Sequence, residues 1–388
     1  MTSAYELPNV DIALLSSLRE IETSDEEPTV DELKVYISED TLNELLSSKG
    51  YIEEHLDAYL RFRNRVIVSK HDYKGFHSRY HTCLKLVQAL ELAKVERSFR
   101  SFYDICFAPG AFTEGLFRLY SIDEAYGITL IEKGLEIDRA ITSNPKFHII
   151  SPHDGNLYNY DNLVEAKAIK VDLVCADGGF ETKNENLQSL YIYPLIFCEF
   201  VHAVNTLKKG GVFVCKLFDT FDERTVQAIA ALSLYFKRVC ITKPEESRLV
   251  NSERYLVAVD FDSDGLDALS YHLEDILRLN RRSLIFDESM RTLAPEFSEY
   301  VSSMNESIAK NQANEIKRVV DECVRLSEGS RTYDYRGRAP ARRERTPQNN
   351  SNSGAPRDRV RRSSAQRGRW NRGRGYSIKP GTIIFDWE

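Results

Sequence analysis

Residues Asp104-Ile105-Cys106-Phe107-Ala108-Pro109-Gly110-Ala111-Phe112-Thr113-Glu114-Gly115 run from an apolar, strand-like segment through a turn of small residues into an amphipathic stretch. A strand that enters a helix through such a turn brings backbone N–H groups to the strand's carboxyl end, where a ligand can approach them. Ala108, Gly110 and Ala111 keep that approach open, because larger side chains would fill the space the ligand occupies. The spacing is neither G-x-G-x-x-G nor G-x-x-x-x-G-K-[ST], which speaks against a dinucleotide or a nucleoside triphosphate. Taken alone, the segment fits an ordinary tight βα turn equally well, so its surroundings have to decide.

Outward from it, apolar runs of strand length alternate with helical segments: 103–107, 125–130, 147–150, 171–176, 211–215, 238–242 and 255–261. Such alternation predicts an α/β fold with a mostly parallel seven-stranded sheet covered by helices on both faces. Only a loop separates the last two runs, so that pair is expected to be antiparallel. This region, 61–264, is flanked by extensions. Residues 1–60 are acidic and mostly helical in pattern, with a capping signal at Thr29-Val30-Asp31-Glu32 and a helix near 41–48. Residues 265–329 return to helical periodicity as a cap or small extension. From 330 to 388 the chain is rich in Arg, Gly, Ser, Pro and Asn, a composition that cannot bury enough apolar area to offset the entropy of ordering, so a disordered basic tail is expected.

The net charge of -7 conceals a division. Residues 331–376 hold 14 Arg, no Lys and 3 acids, for +11, whereas residues 1–330 carry -17. No apolar run reaches the roughly 18–20 residues of a membrane span, and no basic region precedes the short apolar patch near the amino terminus. A non-secreted nuclear or cytoplasmic protein, cellular or viral, is expected. The seven cysteines are odd in number and form no C-x-x-C pair, which favours reduced core residues over disulfides or metal ligands.

Asp177 ends the apolar run VDLVCA and Lys216 ends GVFVC, with a helical stretch between them. A right-handed crossover places both at one sheet edge, where ligands bind in open α/β sheets.

Four stretches, DICFAPGAFTEGLF (104–117), ADGGFETKNENLQ (176–188), GGVFVCKLFDTF (210–221) and KPEESRLVNSERYLV (243–257), occur in one order over about half the chain. Together they resemble the FtsJ/RrmJ-like ribose 2'-O-methyltransferases, and within them the enzymes that methylate the first transcribed nucleotides of capped messenger RNA. The resemblance implies a Rossmann-like methyltransferase fold, S-adenosylmethionine as cofactor, and a catalytic tetrad of Lys85, Asp177, Lys216 and Glu253. Lys216 is then the general base. It must be neutral to take a proton, which requires its pKa to fall from the ordinary lysine value of about 10.4; burial beside Lys85 and a sulfonium would drive that shift. Asp177 orients Lys216 and faces the methyl donor, while Lys85 and Glu253 flank the pair.

Lys85 is placed by its Leu84-Lys85-Leu86 context, but Ser78-Arg79 precedes it by two residues more than is usual in the family; Lys74 is the runner-up. The cofactor set is Asp104, Ala108, Pro109, Gly110, Ala111, Phe112, Asp154 and Asp177. Ala111 stands where the family commonly has a second glycine. Asp154, after FHII, is either a partner for the adenine amino group or the Asp of a turn-forming Asp-Gly. Glu132 is left unassigned, and no metal is expected. Arg248 is a candidate contact for RNA phosphate or an exposed loop arginine.

The expected partner is RNA, capped messenger RNA above all, with a link to the capping or transcription machinery. Arg-Gly runs around Arg367–Trp370 and Arg372–Tyr376 combine charge with stacking groups and suit RNA binding; a nuclear-import or solubility tail is the alternative. Ribosomal or transfer RNA methylation is the second enzymatic reading, since the tetrad is shared across the larger family. A non-catalytic RNA-binding protein on a decayed methyltransferase fold is the third.

Overall fold

The computed structural model describes residues 3–22, 27–67, 80–131, 137–279, 282–286 and 289–336. Lys74, Ser78, Arg79, Glu132 and the Arg-Gly segment of the tail lie outside these residues. The strands are β1 (Ser3–Glu6), β2 (Leu18–Glu22), β3 (Ser101–Ile105), β4 (Glu124–Ile128), β5 (Phe147–Ile149), β6 (Val171–Ala176), β7 (Leu207–Leu217), β8 (Phe236–Lys243), β9 (Arg254–Phe261) and β10 (Arg282–Phe286).

Eight strands form one sheet in the order β1-β8-β9-β7-β6-β3-β4-β5. The seven expected strands are all in it. β3, β4, β5, β6 and β7 pair in parallel, and β9 runs antiparallel to both β7 and β8. The strand order reverses between β3 and β6, whose carboxyl ends therefore flank a crevice.

β6 shows why the apolar runs are continuous rather than alternating. Val174 and Ala176 pack into one core with the helices Gln188–Thr206 and Glu223–Ser233. Leu173 and Cys175 pack into the other with the helices Tyr80–Leu92 and Ala111–Leu119. With both faces covered, the strand is apolar except at Asp172 near its start, which pairs with Lys208 at 3.1 Å.

The helix Glu185–Thr206 is long and apolar enough to cross a membrane, although the sequence reading saw no such run. Eighty-three per cent of its apolar window is buried inside the protein, so it is the central helix of this sheet layer.

Two expectations for the extensions need correction. The first sixty residues supply more than helices: β1 adds an eighth strand by pairing antiparallel with β8, Ala4 opposite Thr242, and β2 pairs with β10 in a second, two-stranded sheet. Strands of four and five residues give too short an alternation to stand out in sequence. The capping signal is real, with Thr29 N–H donating to Glu32 Oε1 at 2.9 Å, but it opens a short 3-10 turn, Val30–Lys34. The two extensions also pack together. Leu42, Leu45 and Ile52 of helix Glu39–Glu54, with Tyr59 and Phe62 of helix Leu56–Val66, share a core with Ala313, Ile316 and Val320 of a 42-residue helix, Pro295–Arg336. That helix continues into the segment expected to begin the tail.

Candidate active site

Strand register explains how three of the singled-out side chains meet. Ala176 pairs with Cys215, so Asp177 and Lys216 follow side by side at the ends of β6 and β7. Lys216 pairs in turn with Tyr255 of β9. Directly opposed residues point to the same face of a sheet, which puts Asp177, Lys216 and Tyr255 in one row. Lys216 Nζ donates to the Asp177 backbone carbonyl at 2.8 Å and lies 3.4 Å from its Oδ1. Tyr255 donates its hydroxyl to the same Oδ1 at 2.8 Å.

Glu253 immediately precedes β9 and is 1% exposed. Lys85, in the second turn of helix Tyr80–Leu92, pairs with it at 2.9 Å. The residue placed only by family context thus reaches the same site across 168 positions of sequence.

These groups converge on a cleft of ≈ 680 Å³. Asp104, Phe107, Ala108, Pro109, Gly110, Ala111 and Phe112 line one side, Lys85, Lys216 and Glu253 another, and Asp177 lies among them. The loop stays open for a local reason. Gly110 has φ +117°, a conformation unfavourable to L side chains, and a Cβ there would sit 2.0 Å from Ile141 Cδ1. Asp104 accepts the Thr113 hydroxyl at 2.6 Å, which ties the end of β3 to the first turns of the following helix; burial raises its carboxyl to a pKa of about 7.

The environment of Lys216 differs from expectation. Burial opposes its charged form, but Asp177, Glu253 and Glu199 around it outweigh burial and hold its pKa above the ordinary lysine value. Glu199, fully buried on the central helix, accepts Gly178 N–H at 3.2 Å, and its own pKa is pushed up to about 7, chiefly by burial. The third carboxylate had not been counted, so the sequence reading took the wrong sign for the protein's own contribution.

Two singled-out residues do not reach the cleft. Asp154 accepts the side-chain amides of Asn159 and Asn162 at 2.9 and 2.8 Å, the arrangement of a turn-forming Asp, and does not line the cavity. Arg248 follows the short turn Glu245–Ser247 and is also absent from the lining.

Sequence reasoning missed Tyr255, Glu199, Asp138 and the cleft-lining Phe180, Gln188 and Phe218. A signal existed for Tyr255: it sits two residues after Glu253, hence on the same side of an extended chain. Phe180 is the last residue of ADGGF and is 46% exposed, an unusual position for a large apolar ring. Glu199 left no signal, because a single acid in an apolar helix reads as an interruption.

The FtsJ-like methyltransferase family matches residues 79–261 of the sequence. The match covers just under half of the chain. The chain is 29% identical over 330 residues to a protein of Leishmania braziliensis named cap-specific mRNA (nucleoside-2'-O-)-methyltransferase 1, covering 75% of this chain and 82% of the relative. It is 29% identical over 241 residues to a protein of the same name from Trypanosoma brucei brucei, covering 57% of this chain and 64% of that one. Against the Homo sapiens protein of that name, identity is 28% over 247 residues, covering 56% of this chain. The chain spans only 29% of that human relative.

Proposed function

We propose that this methyltransferase uses S-adenosylmethionine to methylate a ribose 2'-hydroxyl in the first transcribed nucleotides of capped messenger RNA. The observation that carries the reading is the row of Asp177, Lys216 and Tyr255 at one edge of the cleft, with the Lys85–Glu253 pair beside it.

The cleft suits the cofactor in two respects. Its loop side is built from small residues, and its volume, ≈ 680 Å³, falls within the range of small-molecule sites. Asp104, the 107–112 loop and Asp138 would hold the cofactor; Asp138 lines the cleft and takes the place that had been considered for Asp154. S-adenosylmethionine supplies a methyl group on a sulfonium, whose positive charge offsets the carboxylates around Lys216. Lys216 would accept the proton of the 2'-hydroxyl, with Asp177 holding the ammonium and Tyr255 holding Asp177. Lys85 neutralises Glu253, which limits how strongly that carboxylate favours the charged form of Lys216.

Lys216→Ala tests the reading, with methyl transfer measured on capped and uncapped versions of one short RNA and cofactor affinity measured by calorimetry. Wild-type protein is expected to prefer the capped RNA, and the variant to lose transfer while retaining cofactor binding. Equal wild-type rates on both RNAs would remove the cap from the assignment and favour ribosomal or transfer RNA. Undiminished transfer by the variant would remove the base.

A further inference from the structure

Strand β8 ends in a lysine that the sequence reading did not single out. Lys243 is 4% exposed, and its Nζ donates to two backbone carbonyls, that of Asn251 at 2.6 Å and that of Glu253. A buried ammonium is ordinarily set against a carboxylate, whereas both acceptors here are neutral. Burial brings the amine down to a pKa of about 7, against the opposing pull of Glu253. An amine that has lost its third proton still has two to donate, one for each carbonyl, so the contact survives on either side of that pKa.

Both carbonyls belong to the loop 244–253 that leads into β9. Their neighbours are held in the same way: Gln312 of the long helix donates to the Val250 carbonyl at 3.1 Å, and Arg254 Nε donates to that of Ser252 at 3.3 Å. Each carbonyl from Val250 to Glu253 thus meets a buried side chain, and Lys243 holds the two nearest the Glu253 side chain on either side of Ser252. Farther back, Glu246 N–H donates at 3.1 Å to Gln88, on the helix that carries Lys85. What this anchoring delivers to the cleft is one carboxylate. Glu253 is 1% exposed, belongs to the cleft lining and lies 2.9 Å from Lys85, and its charge also favours the protonated form of Lys216.

We propose that Lys243 is a positioning residue of the methyl-transfer site, clamping the backbone on both sides of Ser252 so that the Glu253 carboxylate stays against Lys85 and keeps its charge on Lys216. Lys243 itself does not line the cleft, so any influence it has on the reaction passes through Glu253. The charged groups that act on it are Glu253 and Arg254 at the start of β9, Asp219 after β7, and Lys85 from its helix. Removing the amine would strand two buried carbonyls, which regain partners only if the chain around Glu253 opens to water. The inference rests on the reading of Lys216 as the base of a methyltransferase, and its test therefore includes a measurement that needs no turnover.

Methyl transfer to a capped RNA is measured for Lys243→Met in the full chain, once in the wild-type background and once in Glu253→Gln. The kcat/KM should fall about tenfold in the first background and less than about twofold in the second, because a residue that acts through Glu253 has nothing left to position there. A merely structural role would lower both alike; that result, or a wild-type rate in Lys243→Met, would overturn the proposal. Lys243→Gln keeps an amide –NH2 for the carbonyls and should lose only about threefold in the wild-type background. If Lys243→Met no longer melts cooperatively, Lys243→Gln goes through the same cycle, and equal losses in the two backgrounds overturn the proposal. Acylation of the Lys85 amine by a succinimidyl ester, followed by mass spectrometry, supplies the measurement without turnover. It should be about threefold or more faster in Lys243→Met, since a displaced Glu253 no longer favours the protonated amine, and an unchanged rate would overturn the proposal. Absence of methyl transfer from wild-type protein would refute the functional reading, and the clamp would then stand or fall by Lys85 labelling.

Discussion

Tyr255 donates its hydroxyl to Asp177 Oδ1 at 2.8 Å from the strand position directly opposite Lys216. Asp177 is therefore held from two sides, by a phenol and by an ammonium, and neither contact depends on a flexible surface group. A hydrogen bond to a charged group contributes about 1.5–3 kcal/mol. Tyr255→Phe removes the phenol and keeps the ring in its core, so kcat should fall about tenfold or more while the melting temperature changes little. Methyl-transfer kinetics check this, and a wild-type kcat would show that Lys216 alone positions Asp177.

The raised pKa of Lys216 sets the sign of the pH dependence. Below that pKa the neutral base is the minor form, and its share grows tenfold with each pH unit. The kcat/KM profile should therefore climb with a slope near one from about pH 6.5 to 8.5, with no plateau from the free protein in that range. Lys216→Arg keeps a cation beside Asp177 but cannot lose its proton at these pH values. It should be inactive throughout, with a flat profile. A rising residual rate in that variant would assign the titration to another group.

The row of Asp177 and Lys216 was legible because two separate signals coincided there: each ends an apolar run, and the fold brings such ends to one edge. Lys85 had only its context, since nothing local reveals that a helix will lay it 2.9 Å from a glutamate 168 residues away. Asp154 carried two readings, and the structure shows the turn: its carboxylate accepts Asn159 and Asn162, and it does not line the cleft. The pairing of β1 with β8 and the shared core of the two extensions are long-range contacts, which periodicity within one segment does not encode.

Arg254 ties those extensions to the site. It is fully buried, pairs with Asp219 at 2.8 Å, and lies 3.4 Å from Asn305 of the long helix. Asn305 donates to the carbonyls of Tyr36 and Thr220, joining the amino-terminal extension to the loop that follows Lys216. Breaking a buried pair leaves an uncompensated charge and costs about 3–5 kcal/mol. Arg254→Met should lose about that much stability in urea denaturation. Arg254→Met/Asp219→Leu should recover most of it, because only Lys49, which is partly exposed and 3.9 Å from Asp219, loses a partner. A loss no larger than that of a surface substitution would mean the network carries little weight.

Glu199 gives a stability signature of opposite sign to the usual acid. Its pKa is ordinary in the unfolded chain and about 7 in the folded protein, chiefly because burial penalises the carboxylate. Between those values the folded protein keeps a proton that the unfolded chain has released, so stability falls as pH rises from about 4.5 to 7, and the full cost persists above. Glu199→Gln removes that titration while retaining an oxygen to accept Gly178 N–H. The melting temperature of the variant relative to wild type should therefore rise by roughly 3–6 °C between pH 5 and pH 8. Asp104 and Asp222, raised to about 7 and about 6 by burial, will leave a residual decline in both proteins. Parallel melting curves for the two across that range would show that Glu199 is ionised in the folded state at every pH tested, and that Lys216 faces its full charge.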